Sequence, residues 1–251
     1  MRKLNCRKVA KSKRASRLPL TLATFLFCNI AQLFASTSTQ FNETLSSVIN
    51  APVPEPISAM AQAQTPPGPN WTTLEQEILL EHNRVRQDPQ SYIPILENYL
   101  EQMTSDGLII HGCGQGCVLT TREGRAAVEE AIAFLQNQPP VGPISQSTPV
   151  AQAAKALAQE QQSGQTGHVS SDGSSFLQRL THFGVRSSAI GENISYGATS
   201  AQDVIMKLII DDGVPSRGHR INLFSASWEK AGAGCGTHAR YRTVCVIDYA
   251  I

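Results

Sequence analysis

The run Ala233-Gly234-Cys235-Gly236 limits the possible folds of this chain more than any other stretch. It overlaps the end of Trp228 to Cys235, which with Tyr241 to Tyr249 reads as two strands about a turn. Glycine weakens a strand interior because it has no side chain to pack. A strand built from such small residues therefore marks a close backbone approach, here a sheet pressed onto a helix. Cys235 and Cys245 flank Thr237 to Thr243, a hairpin whose strands can carry a cross-strand disulfide.

The segments before this hairpin read mainly as helices. Leu74, Ile78, Leu79 and Val85 recur at helical spacing from an N-cap at Thr73 to Asp88-Pro89. Pro89 to Leu100 is a second, short helix with Tyr92, Leu96 and Tyr99 on one face. Residues 104–122 are glycine-rich and loop-like. Further helices are predicted over Glu123 to Gln136, Pro149 to Gln162, Ser174 to Phe183 and Ala198 to Asp211. The third of these four is stopped by Gly184, and the last is capped by Thr199 or Ser200. Helices with a terminal hairpin point to an α+β fold or a layered αβα arrangement.

Charge divides the chain. Eight of its 21 basic residues lie between Arg2 and Arg17, and no acid precedes Glu43. Without that leader, 13 basic residues face 20 acidic ones, a net of −7, which argues against a nucleic-acid binder. Residues 1–35 have the basic, apolar and small-residue layout of a signal peptide, with an uncleaved N-terminal anchor as the rival reading. Residues 36–70 form a Pro-, Ser- and Gln-rich linker. The folded domain is then 71–251, soluble once processed, and secreted or held in the cell envelope. In that oxidising compartment Cys113, Cys117, Cys235 and Cys245 read as disulfide-forming, although four cysteines allow three connectivities. Their CxxxC and Cx9C spacings suit a zinc site poorly. Asn42, Asn70 and Asn193 each open a glycosylation sequon.

Chemistry concentrates in three polar clusters. Glu192 sits in Gly191-Glu192-Asn193-Ile194-Ser195-Tyr196-Gly197, 24 residues after His168 and 27 before His219. Each histidine follows a glycine in a loop-like stretch, and imidazoles flanking a carboxylate suit either metal ligation or proton transfer. No HExxH, GxSxG or P-loop pattern occurs. Ser170, Ser171 and Ser195 are nucleophile candidates by proximity alone. Asp211-Asp212 ends a helix, where negative charge needs a partner such as Arg220 or a metal. His82 reads as structural.

Taken in order, these residues resemble the CAP superfamily (SCP/TAPS), and its bacterial branch most of all. The matching pieces are Leu80-Glu81-His82-Asn83-Arg84-Val85-Arg86, Gly167-His168, Gly191-Glu192-Asn193-Ile194 and Gly218-His219-Arg220-Ile221-Asn222-Leu223, followed by the closing strands. The resemblance spans roughly 74–250 and implies a three-layer αβα sandwich with a central cavity. In many members two histidines and two acids line that cavity and hold zinc or another divalent metal. By position these are His168, Glu192, His219 and Asp212, with Asp211 as substitute for the last. Residues 101–146, with Cys113 and Cys117, look like an insertion. Relatives are linked to sterol or lipid binding, to defence and, contentiously, to proteolysis. The expectation is an exported protein whose cavity binds a divalent metal, a small lipid-like or sterol ligand, or a peptide. One alternative is a metal-dependent envelope hydrolase using Glu192 as general base. The other is a lipid-binding or adhesion module without metal.

Overall fold

Gly232 and Gly234 set the spacing of the whole molecule. The computed structural model describes residues 70–110 and 118–251, all within one compact unit, Ala63–Ile251. The leader, residues 36–69, Cys113 and Cys117 lie outside the described residues. The strand β5 (Lys230–His238) pairs antiparallel with β6 (Arg242–Ala250), Cys235 opposite Cys245, and those two cysteines form the expected disulfide. A Cβ on Gly232 would stand 2.1 Å from the Ala151 nitrogen, and one on Gly234 2.2 Å from that of Lys155. Both contacts are with the helix α4 (Thr148–Glu160), so the sheet presses on a helix as the small residues require.

The sheet is completed by β3 (Ser145–Gln146), parallel to β5, and by β4 (Ile190–Tyr196), antiparallel to β6, in the order β3-β5-β6-β4. Alternation along β5 and β6 then makes three layers. On one face Val244, Val246 and Ile194 pack on Ala154, Leu157 and Ala158 of α4. Beside them Ala250 meets Leu180 of α5 (Phe176–His182). On the other face Ala231, Ala233, Cys235, Ile247 and Tyr249 join a larger core. That core is supplied by α1 (Trp71–Gln87), α2 (Ile93–Glu101), α3 (Arg125–Asn137), α6 (Ala201–Ile210) and α7 (Gly218–Phe224). The fold is α+β with helices on both faces of a mixed sheet. Val204, Ile205 and Ile209 of α6 are fully buried, each contributing about 1.5–3 kcal/mol relative to exposure.

Several local expectations need correction. Asn70 caps α1 by accepting from the Thr73 amide, so Thr73 lies inside the helix. Two short strands, β1 (Leu108–Ile110) and β2 (Val118–Thr120), pair antiparallel where loop was expected. Ala127, Val128, Ala131 and Leu135 bury α3 in the main core. Glu192 belongs to a strand, and His219, expected in a loop-like stretch, belongs to a helix. Asn193 is wholly buried, which makes its sequon unusable in the folded chain.

Candidate functional site

The site forms at the free edge of β4, where one histidine arrives from each outer layer. His168 comes from the turn after α4. Gly167 adopts φ +106°, a conformation open mainly to glycine, and its two peptide groups are tied down. Its N–H donates to the Tyr196 hydroxyl (2.9 Å), its carbonyl accepts from Gln161 Nε2 (2.6 Å), and Tyr196 donates to Gln161 Oε1 (2.8 Å). His168 Nδ1 then bonds Glu192 Oε1 at 2.7 Å, while the ring remains partly exposed.

His219 is held from the opposite layer. The helix α6 ends at Asp211, which adopts the left-handed conformation (φ 55°) and so turns its carboxylate toward the start of α7. Asp211 Oδ2 accepts from the His219 amide (2.9 Å) and Oδ1 bonds His219 Nδ1 (2.6 Å). The partner that this helix-end charge requires is therefore the first turn of α7 and its histidine. The far end of α7 is fixed by His82 and Arg86, both bonded to the Leu223 carbonyl. His82 is structural, as expected, and burial pushes its pKa down to about 4.

The two imidazole rings lie 6.3 Å apart, inclined by 32°. Each engages a carboxylate through Nδ1, and neither Nε2 has a hydrogen bond among the described residues. This brings together His168, Glu192 and His219, with Asp211 as the fourth member. Asp212 is not in the cluster. Its carboxylate accepts from the Arg122 and Glu123 amides (both 2.7 Å), because the turn at Asp211 aims the next residue at the segment before α3. Among the described residues no three His, Cys, Asp or Glu side chains gather tightly enough to hold a metal by themselves. The carboxylates sit behind the imidazoles and orient them.

Two members were not legible in the sequence. Arg179 of α5 is buried and forms an ion pair with Glu192 Oε2. Asp248 lies directly opposite Glu192 in the β4–β6 register, is completely buried, and has no hydrogen-bond partner for either oxygen. Burial, and then the Glu192 charge, push the Asp248 carboxyl well above the usual carboxylate range, against a smaller opposite pull from Arg179. The Glu192 carboxylate pairs with Arg179, and the shift favours the protonated form of Asp248. Its signal was an acid at an inward position of an otherwise apolar strand.

The start of α7, which carries His219, is braced from α3 and the turn before it. Arg217 bonds both oxygens of Glu123 (2.8 Å each) and reaches Glu130 (2.9 Å). Arg220 makes a paired contact with Glu130 (2.6 and 2.9 Å) and caps α6 at the Ile209 carbonyl. Beside the histidines opens a cavity of about 1020 Å³, walled by Tyr99, Arg122, Ile194, Tyr196, Leu208 and Arg240 among others.

A sequence profile described as the cysteine-rich secretory protein family, CAP, matches residues 80–249. The chain belongs to the CAP family. No curated protein matches it. Among solved structures it is similar to an extracellular protein containing an SCP domain from Bacillus anthracis, at 17% identity and TM-score 0.36, covering 49% of this chain and 38% of that one. A cysteine-rich secretory protein from Staphylococcus aureus gives 14% identity and TM-score 0.34, covering 50% and 37%. An outer surface protein from Borrelia burgdorferi gives 15% identity and TM-score 0.35, covering 43% and 77%. Likenesses of that strength carry no functional weight, and the CAP assignment rests on the profile and the fold. No helix among the described residues is long and apolar enough to cross a membrane.

Proposed function

We propose that this CAP-family chain is an exported binding protein whose cavity holds a divalent cation on His168 and His219. The observation that carries the reading is the facing pair of imidazoles, each with Nδ1 on a carboxylate. A carboxylate on Nδ1 fixes the tautomer, leaves the Nε2 lone pair free and raises its basicity as a ligand. Zinc accepts neutral imidazole, so the donor set fits it, with water or ligand filling the remaining positions. When bound, such a cation polarises an oxygen placed against it. Glu192, Arg179 and Asp211 keep the two rings oriented.

Glu192 is poorly placed as the general base of a hydrolase. Both of its oxygens are engaged, by His168 and Arg179, and its side chain is 1% exposed. Ser170 is already bonded to Arg179 and offers no activated nucleophile. Turnover of a peptide or ester panel, abolished by Glu192→Gln, would favour the hydrolase. Export is supported by the leader composition and by the Cys235–Cys245 disulfide, which an oxidising compartment maintains.

The test is calorimetric titration of the full chain with zinc chloride. A saturable signal, lost in both His168→Ala and His219→Ala, is expected. An isotherm unchanged by both substitutions, or no binding at all, would overturn the reading. A lipid or adhesion module without metal would instead keep its ligand after both replacements.

A further inference from the structure

We infer that the open edge of β4 is a docking site for an extended peptide segment carrying an acidic residue. The inference rests on the cavity being the functional site and does not depend on the cation.

The strand β4 ends the sheet, so one row of its backbone groups has no strand to pair with. Which groups these are follows from the ladder. The Gly197 amide donates to the Thr243 carbonyl (2.9 Å), and the Ile251 amide donates to the Ala189 carbonyl (3.3 Å). In an antiparallel pair, hydrogen-bonded positions alternate, so Gly191, Asn193 and Ser195 also face β6. The N–H and C=O groups of Glu192, Ile194 and Tyr196 therefore point to the free edge. The Glu192 carbonyl is taken by Asn222 Nδ2 (3.4 Å). The outward groups of Ile194 and Tyr196 have no hydrogen-bond partner among the described residues. Four consecutive residues, Ile194 to Gly197, border the cavity, so residues of both strand faces reach it, as an edge presented to the cavity requires. Ser195 Oγ is buried there without a partner. Proteins normally blunt a free edge with lysine, proline or a bulge, and this stretch has none of them.

Charge selects the peptide. Arg122 and Arg240 lie on the cavity wall with no carboxylate partner among the described residues. The wall's acids are already engaged, Asp211 by His219 and Asp212 by backbone amides. In a chain that is net acidic beyond its leader, this is a local reversal of sign. An added strand pairs through its main chain, and an acidic side chain on it meets the arginines.

The experiment is amide NMR of the labelled full chain, with and without the blocked hexapeptide Thr-Val-Thr-Val-Glu-Glu. Binding should shift the Ile194 and Tyr196 amides and slow their hydrogen exchange. N-methylation of alternate peptide nitrogens should abolish binding, and Arg122→Ala/Arg240→Ala should weaken it roughly fivefold at low salt. Equal binding of the N-methylated peptide would overturn the proposal, as would unmoved amides at millimolar peptide. Slow exchange at Ile194 and Tyr196 before any peptide is added would also overturn it, since the edge is then already covered. The same measurements in EDTA keep this result separate from zinc binding.

Discussion

Arg179→Met probes the buried charge beneath the histidines. The Arg179 and Glu192 side chains are 4% and 1% exposed, and burial raises the pKa of Asp248 alongside them. Removing the guanidinium leaves Glu192 buried with only a partly exposed imidazole beside it. Breaking a buried pair in this way costs about 3–5 kcal/mol. Against a total stability of roughly 5–15 kcal/mol for a domain, that loss is large. The assay is urea unfolding at neutral pH, comparing Arg179→Met, Glu192→Gln and the double variant. Arg179→Met should lower the midpoint sharply, and the double variant should recover part of the loss, with a coupling of about 2 kcal/mol. A loss below about 1 kcal/mol, or fully additive effects, would refute the assignment of Arg179 as the counter-charge.

Other outcomes follow from the same geometry. The folded-state pKa of Asp248 is raised, so the wild type holds this contribution at low pH and loses it as pH climbs above the ordinary carboxylate range. Asp248→Asn should therefore gain stability relative to wild type at pH 8 and not at pH 4, as read by thermal unfolding. Gly234→Ala drives a methyl into the α4 backbone at Lys155, and a loss of about 1–3 kcal/mol or more is expected in chemical denaturation. Cys235 and Cys245 are 10 residues apart, and replacing both by alanine should cost about 2–3 kcal/mol in the same assay.

The layers could be read from the sequence because their causes are local. Small residues at 233–236 announce the sheet–helix contact, and Leu74, Ile78 and Val85 mark the inward face of α1. His168, Glu192 and His219 were recognisable as a set because glycines and spacing mark them in order along the chain. What escaped depends on tertiary geometry. The choice of Asp211 over Asp212 is made by one left-handed residue at the end of α6, which a propensity scale does not see. Arg179 and Asp248 meet Glu192 only after α5 and β6 have packed against β4, from positions 13 and 56 residues away in sequence. The β1–β2 pairing hid behind glycines that read as loop.

The position of the cation can be read from a crystal of the full chain soaked in zinc and measured at the zinc absorption edge. One anomalous peak is expected, bonded to Nε2 of both His168 and His219, with Glu192 and Asp211 still on the two Nδ1 atoms. A peak on Asp212, on the carboxylates alone, or away from both histidines would contradict that placement.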